Sequence, residues 1–102
     1  MPTLRIAALV ALLVPAAIAL ADSVEVPECV THTKHSSYRG YGYNHSVEVR
    51  NGCDAPVECT ASSDSAPDPI TFTVNGSATV TKVLKVNAPG SAFELRLSCE
   101  KQ

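Results

Sequence analysis

The chain has 102 residues, a formal net charge of −2, four cysteines and no tryptophan. That length allows one small domain and not two. The weak acidity, with no cluster of Lys or Arg, excludes a nucleic-acid surface and gives no electrostatic reason to bind an anionic membrane.

Taken in chain order, the first 21 residues read as an export signal. Arg5 supplies a positive start, Ile6 to Ala21 is apolar apart from Pro15, and Ala19-Leu20-Ala21 is a small-x-small cleavage site before Asp22. As a helix the apolar run would reach about 24 Å, short of the roughly 30 Å hydrocarbon core, so cleavage rather than membrane insertion is expected. The first cysteine is Cys29, too far from the cleavage site for lipid attachment there. A secreted or periplasmic product spanning residues 22–102, a single domain, is the expectation.

Beyond Asp22 the apolar residues alternate with polar ones in short runs, the period of half-buried strands. Val24, Val26 and Val30 suggest a first strand, at an edge because Pro27 cannot donate to a ladder. Residues 45–50 make a second with Val47 and Val49 inward, and 56–61 a third with Val57 and Cys59 on one face. Residues 70–74 make a fourth, with Ile70, Phe72 and Val74 sharing a side. Asn75-Gly76 follows as a hairpin signal of type I′. A fifth strand, 77–86, carries Lys82 in the phase of Val80, Leu84 and Val86, which calls for a bulge or bend nearby. After the turn at 88–91, residues 92–99 alternate most cleanly, with Phe93, Leu95, Leu97 and Cys99 inward. Thr31 to Asn44 and Ser62 to Pro69 read as long irregular loops. About six short strands without a helical period predict an all-β fold, a small antiparallel β-sandwich of immunoglobulin-like or Greek-key type.

An even set of cysteines in an exported chain predicts two disulfides. Four cysteines permit three pairings. Strand phase favours a core-crossing Cys59–Cys99 bridge, because both side chains point inward, and leaves Cys29 with Cys53 near the Asn51-Gly52 turn. The bridges would close loops of about 25 and 40 residues, each contributing roughly 3–4 kcal/mol by restricting the unfolded chain.

Cys29, His32, His35 and His45 are metal-ligand types, but their spacing is that of no zinc motif, and positions three apart on a strand face opposite ways. No metal or other cofactor is expected. Asp64 and Asp68 lack the alternating carboxylates and glycine of a calcium loop, and no Ser/His/Asp set has the context of a nucleophile. The chain therefore reads as no enzyme. The segment 36–44, Ser-Ser-Tyr-Arg-Gly-Tyr-Gly-Tyr-Asn, is the most unusual: tyrosines spaced by glycine resemble the composition of recognition loops. Tyr41 and Tyr43, in phase with Val47 and Val49, are expected to cap the core. Tyr38 and Arg39 are the candidate partner-binding residues.

The run Tyr41-Gly-Tyr-Asn-His45-x-Val47-x-Val49-x-Asn51-x-Cys53-x3-Val57-x-Cys59, followed by Pro67-x-Pro69 and a last strand ending in Cys99, resembles small exported four-cysteine proteins of bacteria, a group of unknown function. The resemblance implies a shared disulfide-braced scaffold and no catalytic residues. The functional expectation is a non-enzymatic exported binding or structural module of the cell envelope or secretome, with a protein or envelope component as partner. The alternatives are a small secreted inhibitor or effector presenting the 36–44 or 62–69 loop, and a metal-binding protein.

Overall fold

The computed structural model describes residues 21–102. The export-signal reading falls, apart from Ala21, outside the described residues. Among the described residues there are seven strands: β1 (Ser23–Glu25), β2 (Val30–Tyr38), β3 (Tyr43–Asn51), β4 (Val57–Ser63), β5 (Ala66–Val74), β6 (Thr79–Ala88) and β7 (Leu95–Lys101). They form two sheets, ordered β1-β7-β4-β5 and β2-β3-β6. All pairings are antiparallel except β1 with β7. β4, β5 and β6 follow one another around the sandwich, β5 to β6 changing sheets, and β7 returns beside β4. That return is a Greek key; the last strand of an immunoglobulin domain would pair elsewhere.

The alternation read from sequence sets the core. Val47, Val49, Val57, Cys59, Phe72, Val74, Phe93, Leu95, Leu97 and Cys99 are buried between the sheets. The cysteines pair as strand phase favours, Cys29–Cys53 and Cys59–Cys99. The second bridge does not cross the core, however. Cys59 and Cys99 are directly opposed on neighbouring strands of one sheet, with Cα atoms 4.0 Å apart, the close spacing of a non-hydrogen-bonded pair. Inward phase made both cysteines core residues without saying that they face one another from the same side.

Several boundaries differ from the sequence reading. The segment 31–44 is not a loop: residues 30–38 pair with β3 in unbroken register from Val30↔Asn51 to Tyr38↔Tyr43. Its alternation is invisible because both faces are polar, with His32, Lys34 and Ser36 beneath the strand and Thr31, Thr33 and His35 above it. Pro27 ends β1 instead of interrupting it, and the Val30 amide donates to its carbonyl at 3.0 Å, turning the chain into the other sheet. The 62–69 loop shrinks to Asp64 and Ser65. Ser62 and Ser63 are buried at the end of β4, where Ser63 Oγ accepts the Ala66 amide, while Pro67 and Pro69 lie in β5 at the sheet edge.

Asn75-Gly76 is not a hairpin, because β5 and β6 belong to different sheets. The turn bonds Ala78 N–H to Asn75 O, with the positive φ (66°) at Ser77 rather than at Gly76. Gly76 is needed for space: a Cβ there would collide with the Asp54 carbonyl oxygen. The irregularity expected near Lys82 lies beyond it, where the β3–β6 register slips between Val83, Lys85 and Ala88. Lys82 itself keeps the inward phase at the rim and lays its ammonium 5.7 Å from the centre of the Phe72 ring, an arrangement that needs no bulge.

Candidate functional site

The β2–β3 hairpin closes through Arg39-Gly40-Tyr41-Gly42, with the Arg39 amide donating to Gly42 O at 2.8 Å. Gly40 takes φ +91°, and a Cβ on Gly42 would press on the Ala88 carbonyl 2.8 Å away. The glycines thus set the shape of the tip and seat it against β6. Tyr38 packs on Tyr43, ring centres 5.2 Å apart, and donates its hydroxyl to Gly40 O at 3.1 Å. Tyr38 is nevertheless 65 % exposed, and Arg39 stands in solvent. Tyr41, expected to cap the core, is 88 % exposed; only Tyr43 is half-buried. The phase argument fails at Tyr41 because it lies in the turn, where strand alternation no longer applies. The structure therefore groups Tyr38, Arg39 and Tyr41 in one projecting tip.

Behind the tip, His45 is 2 % exposed and stacks on Phe93, ring centres 4.3 Å apart. Its Nε2 lies 2.7 Å from Gly90 O, so that nitrogen carries the proton and donates; Nδ1, 3.2 Å from Ser65 Oγ, accepts from the hydroxyl in the neutral ring. The pair has the partners of a serine–histidine dyad, but the imidazole is sealed and spends its donor on a backbone carbonyl. Its work is to join β3, the 64–65 turn and the segment before β7.

Beside it, a shallow groove is lined by Lys34, His35, Ser36, Ser91, Ala92 and Phe93. Lys34 spans its floor, donating to Phe93 O at 2.8 Å and Asp22 Oδ1 at 3.1 Å with its ammonium 5.0 Å from the Phe93 ring centre. Asp22 Oδ1 also accepts the Leu95 amide at 3.0 Å. Burial pushes the Asp22 carboxyl up, but the Leu95 amide, the Lys34 hydrogen bond and charge, and the charge of His32 together hold it below its ordinary 3.8.

The possible metal ligands are dispersed. Cys29 is in a disulfide, His35 meets Glu48 at 3.1 Å on the outer face, and His45 is buried; among the described residues no three His, Cys, Asp or Glu converge. Asp64 is committed too, its Oδ1 accepting the Glu94 amide at 2.9 Å.

At the opposite end the key residue is one that sequence reasoning passed over. Asn51, read as part of a turn, is fully buried. Its Nδ2 donates to Ala55 O and Val74 O, both at 2.9 Å, and its Oδ1 accepts the Cys53 amide at 2.8 Å. Its inward parity with Val47 and Val49 was the available signal. Comparison with family models, with curated proteins and with solved structures finds no match.

Proposed function

We propose that the protein is an exported, non-enzymatic binding module, secreted or periplasmic, that meets a protein or cell-envelope component through its hairpin tip. The observation that carries this reading is the exposure of Tyr38, Arg39 and Tyr41 on a tip whose shape is fixed by Gly40, Gly42 and the Tyr38–Tyr43 contact. Aromatic rings and an arginine presented without a large ordering cost are the residues that anchor interfaces. Two disulfides fit an oxidising compartment, and no described helix is long and apolar enough to cross a membrane.

Replacing Tyr38, Arg39 and Tyr41 together by Ala is expected to abolish retention by cell-envelope fractions while leaving the melting temperature within a few degrees. Full retention by the triple variant would refute the reading. A secreted inhibitor remains the second reading, now confined to the 36–44 segment because 62–69 presents little loop. Inhibition in a protease panel, lost in the same variant, would favour it.

A further inference from the structure

The four edges of the two sheets are unequal. β1 has three residues, β5 carries Pro67 and Pro69, and β6 is broken by register shifts between Val83 and Ala88. Short length, proline and bulges are the usual ways of blunting an edge against further pairing. β2 has none of these three; of the other devices that blunt an edge it carries one inward lysine, Lys34. It runs nine residues, without proline, in unbroken register with β3.

The direction of its backbone groups follows from the ladder. The Arg39 amide bonds Gly42 O at one end, and the Gly52 amide bonds Cys29 O at the other. In an antiparallel pair these bonds recur at every second residue, so Thr31, Thr33, His35 and Ser37 turn their amides and carbonyls toward β3. His32, Lys34, Ser36 and Tyr38 turn theirs outward, and none of these four has a backbone hydrogen-bond partner off β3 among the described residues.

Charge narrows the occupant. Between Val30 and Val47 the fixed charges are Lys34 and Arg39, with no Asp or Glu; the acids that meet this stretch are Asp22, which sits on Lys34, and Glu48, which sits on His35. A second copy pairing centrally through β2 would set Lys34 against Lys34, which like-charge repulsion disfavours. An incoming strand with carboxylates on alternate residues would instead pass its acids along Lys34, whose ammonium keeps one of three donors uncommitted after Asp22 and Phe93 O.

We propose that β2 is a strand-addition site for an extended acidic peptide segment of another protein, which would form a fourth strand on the β2-β3-β6 sheet. This rests on the binding-module reading and gives it a partner chemistry: main-chain hydrogen bonds supply affinity, and alternate acidic side chains supply selection.

The test titrates the oxidised exported protein, labelled with ¹⁵N, with a peptide of about ten residues alternating Thr or Val with Glu, beside a counterpart with Lys at each Glu and a copy of the acidic peptide N-methylated at alternate residues. The acidic peptide is expected to slow amide exchange at His32, Lys34, Ser36 and Tyr38 by about tenfold or more; the Lys and N-methylated peptides should leave those amides unchanged. Ser36→Pro removes an outward amide without touching a β2–β3 bond and should abolish the protection. The N-methylated peptide asks the same question without altering the protein. Equal protection by acidic and basic peptides, insensitivity to N-methylation, or no protection at all would overturn the proposal. Concentration-dependent protection of the four amides without peptide would overturn it in favour of a second copy. Tip-dependent envelope retention with no strand protection would leave the binding module standing and remove only its edge site.

Discussion

Where β2 begins and β3 finishes, Cys29–Cys53, the Gly52–Cys29 backbone bond and the buried Asn51 amide fasten neighbouring segments to one another. Where the same hairpin turns, the sheets meet through His45 on Phe93 and Gly90 O, Lys34 on Asp22 and Phe93 O, and Asp64 on the Glu94 amide. One end is held by a covalent bond and neutral buried hydrogen bonds, the other by a sealed imidazole together with a partly exposed Lys34–Asp22 pair. The exposed tip and the groove lie at the second end. The surface proposed for recognition is thus held by non-covalent contacts alone, while the covalent fastening of the hairpin lies at its far end.

The sharpest way to break the comparison is reduction. Loss of both disulfides removes roughly 3–4 kcal/mol each in the chain-entropy model, a large share of the stability of a domain this small. The expected outcome is unfolding at physiological temperature, read by circular dichroism in reductant. An unchanged melting temperature would make the cross-linked end no firmer than the other.

Next in size is a pair of substitutions. Asn51→Ala strands two carbonyls and an amide in the interior, at a cost of about 3 kcal/mol or more. His45→Ala loses a stacked ring and two hydrogen bonds beside a partly exposed turn, about 2 kcal/mol. Denaturant midpoints should therefore order wild type, His45→Ala, Asn51→Ala from most to least stable. The reverse order of the variants would place the stronger fastening at the tyrosine end.

The smallest effect is acid sensitivity at the tyrosine end. Asp22 has a folded pKa below its ordinary 3.8, so its contribution is complete above that value and is lost as pH falls through the folded pKa. Acid unfolding curves of wild type and Asp22→Asn should differ near neutrality and converge at the lowest pH. A constant separation down to pH 2 would show that the carboxylate charge does not stabilise this end.

The core and the cysteine pairing were legible because both depend on strand phase, which Val47, Val49, Val57, Leu95 and Leu97 display plainly. β2 was not, since an edge strand with little apolar cover has no reason to alternate, and His32, Lys34 and Ser36 leave no trace of an inner face. The Asn75-Gly76 turn misled for another reason: local turn chemistry cannot tell whether the chain returns along its own sheet or crosses to the next. In the candidate site, composition singled out Tyr38 and Arg39, which are exposed, but Tyr41 was assigned inward by a parity that starts only at Tyr43, where β3 begins. His45 and Phe93 could not be joined from sequence at all, being brought together by the Greek-key return of the last strand.

Neither disulfide runs from one sheet to the other. Cys59–Cys99 ties β4 to β7 within the larger sheet, and Cys29–Cys53 closes the end of the β2–β3 ladder. Each cross-link therefore stiffens strands that already neighbour one another and does nothing to hold one sheet against the other. What the covalent bonds leave undone is the closing itself, which falls to the valines and leucines and to the sealed histidine.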